Sequence, residues 1–242
     1  MWSILKKETG SFFNSLIGYL VIGLFLTGIG LICWVFPESN FIQYGFAEMD
    51  NFFFMTPFVY LFLVPAITMR SFSEEWKSGS IELLLTKPVS DWDIILGKYL
   101  ASLVLIGLSL IPTLVYYFSL YQLGEPKGNI DSAAVAGSYL GLFLLGSVFC
   151  AIGLLSSSIS DNQIVAFILA VFLCYLLFSG FGSVASINIW GPFSSFINNL
   201  GLSYHYSSLG KGVIDLRHVV YLISTIAFTL NLTWLVLASR KW

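Results

Sequence analysis

Charge is scarce in this sequence. Only 10% of the 242 residues are Asp, Glu, Lys or Arg, against about 25% in a soluble domain. The net charge of −2 is too small to gather nucleic acid or to steer a charged ligand. Cysteine is also rare: Cys33, Cys150 and Cys174 all lie in apolar runs. A thiol there behaves as a small hydrophobe, and no disulfide framework is expected. The two histidines, His205 and His218, have no further ligand at metal-binding spacing. No G-x-x-x-x-G-K-[ST] run occurs. Gly97-Lys98 is followed by Tyr99 and Gly210-Lys211 by Gly212, and neither pair has glycine five residues upstream. The chain therefore cannot cradle nucleotide phosphates by that device.

What fills the sequence instead is apolar residues, 57% of the total. The uncharged stretches are long. They hold 29 residues between Glu8 and Glu38, 19 between Asp50 and Arg70, 26 between Lys98 and Glu125, and 29 between Asp131 and Asp161. Two more hold 49 between Asp161 and Lys211 and 22 between Arg217 and Arg240. A spanning helix needs about 20 such residues. Five stretches suit one helix each. The longest has Asn188, Gly191, Pro192, Asn198 and Asn199 in its second half, which mark loop or broken helix, so it is read as one span and a partly ordered outer segment. The expected fold is all-α and integral to the membrane. It is one domain over 1–242, with six transmembrane helices near 17–36, 53–70, 95–120, 133–157, 164–185 and 218–238. The first apolar run is too long for a signal peptide and ends without a small-x-small cleavage site.

Basic residues set the orientation. With both termini cytoplasmic, Lys6, Lys7, Arg70, Lys77, Lys87, Lys98, Arg240 and Lys241 lie inside, and Lys127, Lys211 and Arg217 outside. Trp34, Trp190, Trp234 and Trp242 then fall near span ends, where interfacial aromatics belong. Residues 2–15 are amphipathic: Trp2, Leu5, Thr9, Phe12 and Phe13 share a stripe that Leu16 extends, while Ser3, Lys7, Glu8, Ser11, Asn14 and Ser15 face away. That suits a helix lying in the membrane interface; the alternative is the frayed start of span one. No Asp, Glu, Lys, Arg or His sits mid-span, where ion-coupled carriers keep their relays. A chain with neither a nucleotide cradle nor a relay must draw on a partner for uphill transport.

The charged loop 71–94 is the candidate functional segment. Ser73 can cap a short helix whose first turn holds Glu74, Glu75 and Trp76. A second helical piece, carrying Glu82 and the ridge Leu83, Leu84, Leu85, must end at Pro88. Ser90 is a candidate cap for the helix that becomes span three. Three leucines are too few to span; they suit a groove on a soluble partner, or pack on the chain's own bundle.

Glu74-Glu75 resembles the paired glutamates of membrane-embedded prenyl-protein proteases. That family has Arg at the fourth position after the second Glu; Gly79 stands there, and no histidine precedes His205. A fuller likeness runs through E-E-W-K-S-G-S-I-E-L-L-L-T-K-P-V-S and I-I-L-G-K-Y-L-A. This stretch resembles the loop of ABC-2 type transporter permeases: an acidic pair (Glu74, Glu75), a basic residue (Lys77), Gly79-Ser80, then Glu82, Leu84, Leu85, Pro88 and a later Gly97-Lys98. Lys77 stands where Arg is frequent. A-I-G-L-L-S-S-S-I-S-D-N-Q at 151–163 and G-V-I-D-L-R-H-V-V-Y at 212–221 resemble the end of span four and the approach to span six. Within the family, K-K-E and F-F-N-S-L-I-G-Y are most like permease subunits associated with gliding motility.

The resemblance implies a non-catalytic permease subunit of the bacterial inner membrane. It implies a separate ABC ATPase subunit that carries ATP and Mg, a second permease half, identical or not, and short outer helices before span six. Glu74, Glu75, Lys77, Gly79, Glu82, Leu83, Leu84, Leu85 and Pro88 become its ATPase-coupling residues. Gly137, Ser138 and Gly141 in span four, and Gly23 and Gly30 in span one, are small enough for close helix contact between halves, or are ordinary span residues. The rival readings are a carrier or channel acting without an ATPase, and a membrane scaffold of a motility or secretion machine.

Overall fold

A computed structural model of the chain describes residues 1–37, 40–41, 48–80, 90–187 and 191–239, with Ile17 and Pro192 described by backbone alone. Glu82, Leu83, Leu84, Leu85 and Pro88 of the loop, Lys87, Arg240 and Lys241 of the charge count, and Trp190 and Trp242 lie outside the described residues. Every regular element among those described is helical.

The elements are α1 (Trp2–Phe13), α2 (Leu16–Trp34), α3 (Asp50–Thr68), α4 (Arg70–Lys77), α5 (Asp91–Leu110), α6 (Leu114–Leu123) and α7 (Ser132–Ile159). Then come α8 (Gln163–Tyr175), a π-helical turn (Leu176–Gly180), α9 (Phe181–Ala185), α10 (Ser194–Asn199), α11 (Leu202–Leu209) and α12 (Leu216–Ser239). Five helical stretches are long and apolar enough to cross a bilayer: Asp50–Lys77, Asp91–Leu123, Ser132–Ile159, Gln163–Ala185 and Leu216–Ser239. Taking α1 and α2 as one bent pair raises the number to as many as six.

Local chemistry explains the starts and kinks. Asp131 accepts from the amides of Ala133 and Ala134, both at 3.0 Å, and opens α7. Asn162 accepts from Ile164 at 2.9 Å and opens α8. Each satisfies donors that a helix start leaves orphaned. Pro112 sits in a 3-10 turn that joins α5 to α6. Pro57 lies inside α3 and has no N–H for the Phe53 carbonyl one turn back. The Tyr206 hydroxyl of α11 donates to that carbonyl at 2.7 Å.

α7 is the central helix. In its most apolar window 78% is buried, against 22% for the α8 stretch and for α12, so α7 faces protein and the other two leave wide faces for lipid or a partner. Its small residues let neighbours close in. A β-carbon on Gly141 would stand 2.7 Å from Leu209 of α11, one on Gly146 3.2 Å from Ile106 of α5, and one on Gly153 would run into Thr68 of α3. Gly137 faces the Gly212 carbonyl, and Ser138 Oγ donates to the Gly210 carbonyl at 3.0 Å. The small residues Gly137, Ser138 and Gly141 thus serve contacts within this chain. Gly30 faces the Tyr116 hydroxyl, and Gly23 faces open space.

Candidate functional site

One helix boundary in the loop differs from the sequence expectation. Ser73 does not begin a helix: α3 passes into α4 at Met69, which keeps helical dihedrals. Ser73 Oγ bonds back to the Met69 carbonyl instead. A hydroxyl of α7 stitches this junction, because Ser157 Oγ accepts from the amides of Phe72 (2.9 Å) and Ser73 (3.1 Å) and lies 2.9 Å from the Met69 carbonyl. Glu74 and Glu75 consequently sit in the last turns of a long helical stretch. Ser90 does open α5, accepting from Asp93 N at 3.2 Å.

Where α1, α4 and α5 meet, four charges converge. Lys98 of α5 has only 1% of its side chain exposed. Its ammonium lies 2.9 Å from Glu8 Oε1 of α1, 3.0 Å from Glu75 Oε1 of α4 and 2.6 Å from the Ser71 carbonyl. An ammonium has three donors, and these three acceptors match them. Phe72 places its ring 5.1 Å from the same nitrogen, within cation–π range. Lys7 reaches Glu75 Oε1 at 3.3 Å from the exposed side. Glu75 Oε2 is buried and has no hydrogen-bond partner among the described residues. Such a pair is stable only while its partners stay in place, since an unpaired buried charge costs several kcal/mol.

Close packing brings α1 to α5. Ile4 lies over Gly97, where a β-carbon would stand 2.9 Å from Ile4 Cγ2. Ile4, Glu8 and Phe12 follow one another at i, i+4 and i+8, so they share a face, and Ile4 and Phe12 are buried. Trp2 and Leu16 are each 74% exposed. The two ends of the amphipathic stripe thus face outward while Phe12 packs inward, and Glu8, expected on the water side, turns into the protein. A second pair, Arg70 Nε to Glu74 Oε2 at 3.3 Å, lies on α4, and Arg70 also reaches Ser15 Oγ at 3.3 Å. Beside these charges is a cavity of about 280 Å3, lined by Glu8, Glu74, Glu75, Lys98 and Ser102 among others.

α4 ends in a turn that requires glycine. Gly79 has φ +70° and its amide bonds to the Trp76 carbonyl at 3.1 Å. That left-handed cap closes many helices and disfavours any residue with a β-carbon. Lys77 and Gly79 are exposed, and the chain beyond Ser80 leads directly to the leucine ridge. The structure therefore places Glu75 in the buried cluster, Glu74 on its rim, and Lys77 and Gly79 at the exit to the loop.

The sequence matches the ABC-2 family transporter protein family over residues 2–208. The chain belongs to that family. The match takes in α1 through nearly all of α11 and stops before α12. A comparison with curated proteins found no match. As an ABC-2 transporter protein the chain is a multi-pass, membrane-embedded permease component of an ABC transporter, a class that associates with an ABC ATPase and is not itself catalytic.

Two features of this permease had no signal in the sequence. In the sequence Lys98 counts as an inner positive charge and as the end of the Gly97-Lys98 pair, but nothing in its spacing links it to Glu8, 90 residues away. His205 and His218, separate in sequence, meet with their Nδ1 atoms 2.8 Å apart. His205 Nε2 faces the Asn199 carbonyl at 2.8 Å, and the His205 ring stacks on Tyr221 at 3.7 Å. Among the described residues no three His, Cys, Asp or Glu side chains converge as metal ligands.

Proposed function

We propose that the chain is the transmembrane half of an ATP-driven, exporter-like ABC transporter whose ATPase seats on the segment carrying Glu82, Leu83, Leu84, Leu85 and Pro88. ATP and Mg belong to that partner, since this chain has no phosphate cradle. The six apolar segments are six spans, α1 lies in the inner membrane interface, and both termini are cytoplasmic. Eight of 11 basic residues on one side support that orientation. A second half, identical or not, covers the wide apolar faces left by the bundle. The bacterial inner membrane and a link to gliding motility rest on the likeness of K-K-E and F-F-N-S-L-I-G-Y to permeases of that kind.

The observation that carries the reading is the Lys98 cluster. It joins α1, α4 and α5 where α4 leads into the leucine ridge. Closure of an ATPase pair would press that ridge. Gly79 turns the push into α4, and Lys98 shares it with α5 and, through Glu8, with α1. α4 is continuous with α3 across the Ser157-stitched junction, so the motion reaches the membrane helices. Packed helices respond to such a push by shifting between discrete arrangements.

The test replaces Leu83, Leu84 and Leu85 together by Asp. The variant should reach the membrane normally, lose its copurifying ATPase and lose membrane-linked ATP hydrolysis. Undiminished ATPase binding by that variant refutes the seat proposed here.

A further inference from the structure

At the end of α3 opposite the ion cluster lies a larger cavity, of about 640 Å3. This is within the range of small-molecule sites. α3, the π-helical turn, α10 and α11 line it, and one side is open. Its wall is graded. Asp50, Phe54 and Phe58 line it from α3 and follow one another at i, i+4 and i+8, so each step descends about 6 Å along one helix face. The wall therefore passes from a carboxylate to bare aromatic rings over roughly 12 Å. Phe54 is 62% exposed and Phe58 41% exposed, so both rings keep open surface beside the cavity. Phe178 continues the aromatic surface, edge-on to Phe58 with centroids 5.8 Å apart.

Phe178 is carried by the π-helical turn Leu176–Gly180, a distortion found often at functional sites. Across the cavity stand Asn198, Ser203 and Lys211. Asp50 and Lys211 are exposed and have no ion-pair partner among the described residues. The bland role of Asp50 is to complement the first turn of α3. That role does not account for a cation facing the same cavity, or for exposed aromatic surface on the next two turns.

From this arrangement the geometry points to a binding site for a zwitterionic phospholipid. Asp50 takes the ammonium of the headgroup and Lys211 its phosphate. Asn198 and Ser203 serve the glycerol esters, and Phe54, Phe58 and Phe178 hold the upper acyl chains. The site lies where a spanning helix begins, the depth at which headgroups and aromatic belts occur. It requires no nucleotide and no ATPase, so it stands or falls separately from the coupling reading.

The test is native mass spectrometry of the full-length chain, released from detergent after equilibration with phosphatidylethanolamine or phosphatidylglycerol of equal chain length. The expected result is one saturable lipid per chain, with phosphatidylethanolamine retained about fivefold more than phosphatidylglycerol. Asp50→Asn and Lys211→Gln should each lower phosphatidylethanolamine retention about three- to fivefold, the size of one partly exposed charge contact. Phe58→Ala should weaken both lipids. All three side chains contact the cavity from exposed positions, and unchanged melting temperatures confirm that the variants fold. Equal retention of the two lipids by the unaltered chain overturns the proposal. So does full retention of phosphatidylethanolamine by the doubly neutralised Asp50→Asn, Lys211→Gln variant. A third overturning result is preference for dodecyltrimethylammonium that Asp50→Asn abolishes and Lys211→Gln leaves intact, since that describes a site for cations.

Discussion

Lys98 carries an extreme burial for a charged side chain, with only 1% of it exposed. The ammonium is tolerated because Glu8, Glu75 and the Ser71 carbonyl take all three of its donors. Removing it leaves two carboxylates facing each other in a poorly solvated junction. Lys98→Met should therefore destabilise the protein by about 3–5 kcal/mol, seen as a large drop in melting temperature in detergent. Neutralising the acids as well, in Lys98→Met with Glu8→Gln and Glu75→Gln, should recover much of that loss, because no buried charge is then stranded. A triple variant no more stable than Lys98→Met would show that packing, and not charge, holds the junction. Lys77, the other basic residue of the loop motif, is exposed and carries no such constraint.

Elements in this protein are broken where a neighbouring side chain repairs them. Pro57 frees the Phe53 carbonyl and Tyr206 fills it; the α3–α4 junction depends on Ser157. The pairing of α11 with α12 rests partly on the histidines. A carbonyl can only accept, so His205 Nε2 carries a proton toward Asn199, and a neutral His205 then offers bare Nδ1 to an N–H on His218. Burial lowers the pKa of His205 below its ordinary value, the Asn199 carbonyl opposes this, and His218 adds to the lowering. A depressed histidine binds its proton more weakly folded than unfolded. Its contribution is therefore intact above about pH 6.5, the unfolded value, and falls as the pH drops below it. Melting should accordingly be lower at about pH 5.5 than at about pH 7.5, with the difference reduced in His205→Asn. A melting temperature equal at both pH values would contradict this reading.

As a whole the molecule has two chemically unlike ends. One end gathers Lys7, Glu8, Arg70, Glu74, Glu75 and Lys98 around a polar cavity. The other holds the graded cavity at Asp50 and the histidine pair. α3 and α7 run between them. The count of basic residues is the ground for proposing that the first end is cytoplasmic, and that proposal is open to direct measurement. A cysteine introduced at Lys6 should react with an impermeant maleimide only after the cells are opened. One at Lys127 should react in intact cells once any outer membrane has been permeabilised. The native Cys33, Cys150 and Cys174 are buried and give little background. Labelling of both positions from the same side would overturn the proposed topology.

Composition and local spacing were enough to read the membrane class and the helix start at Ser90. These depend on transfer free energy and on hydrogen bonds between residues two or three apart, so they are written locally in the chain. Tertiary packing alone decided that Lys98 is a buried hub, that Glu8 turns inward, that Ser157 repairs a helix junction, that Gly141 serves an intrachain contact and that His205 meets His218. Each of these joins residues separated by many turns, and the partner that makes burial tolerable is visible only once the helices lie side by side.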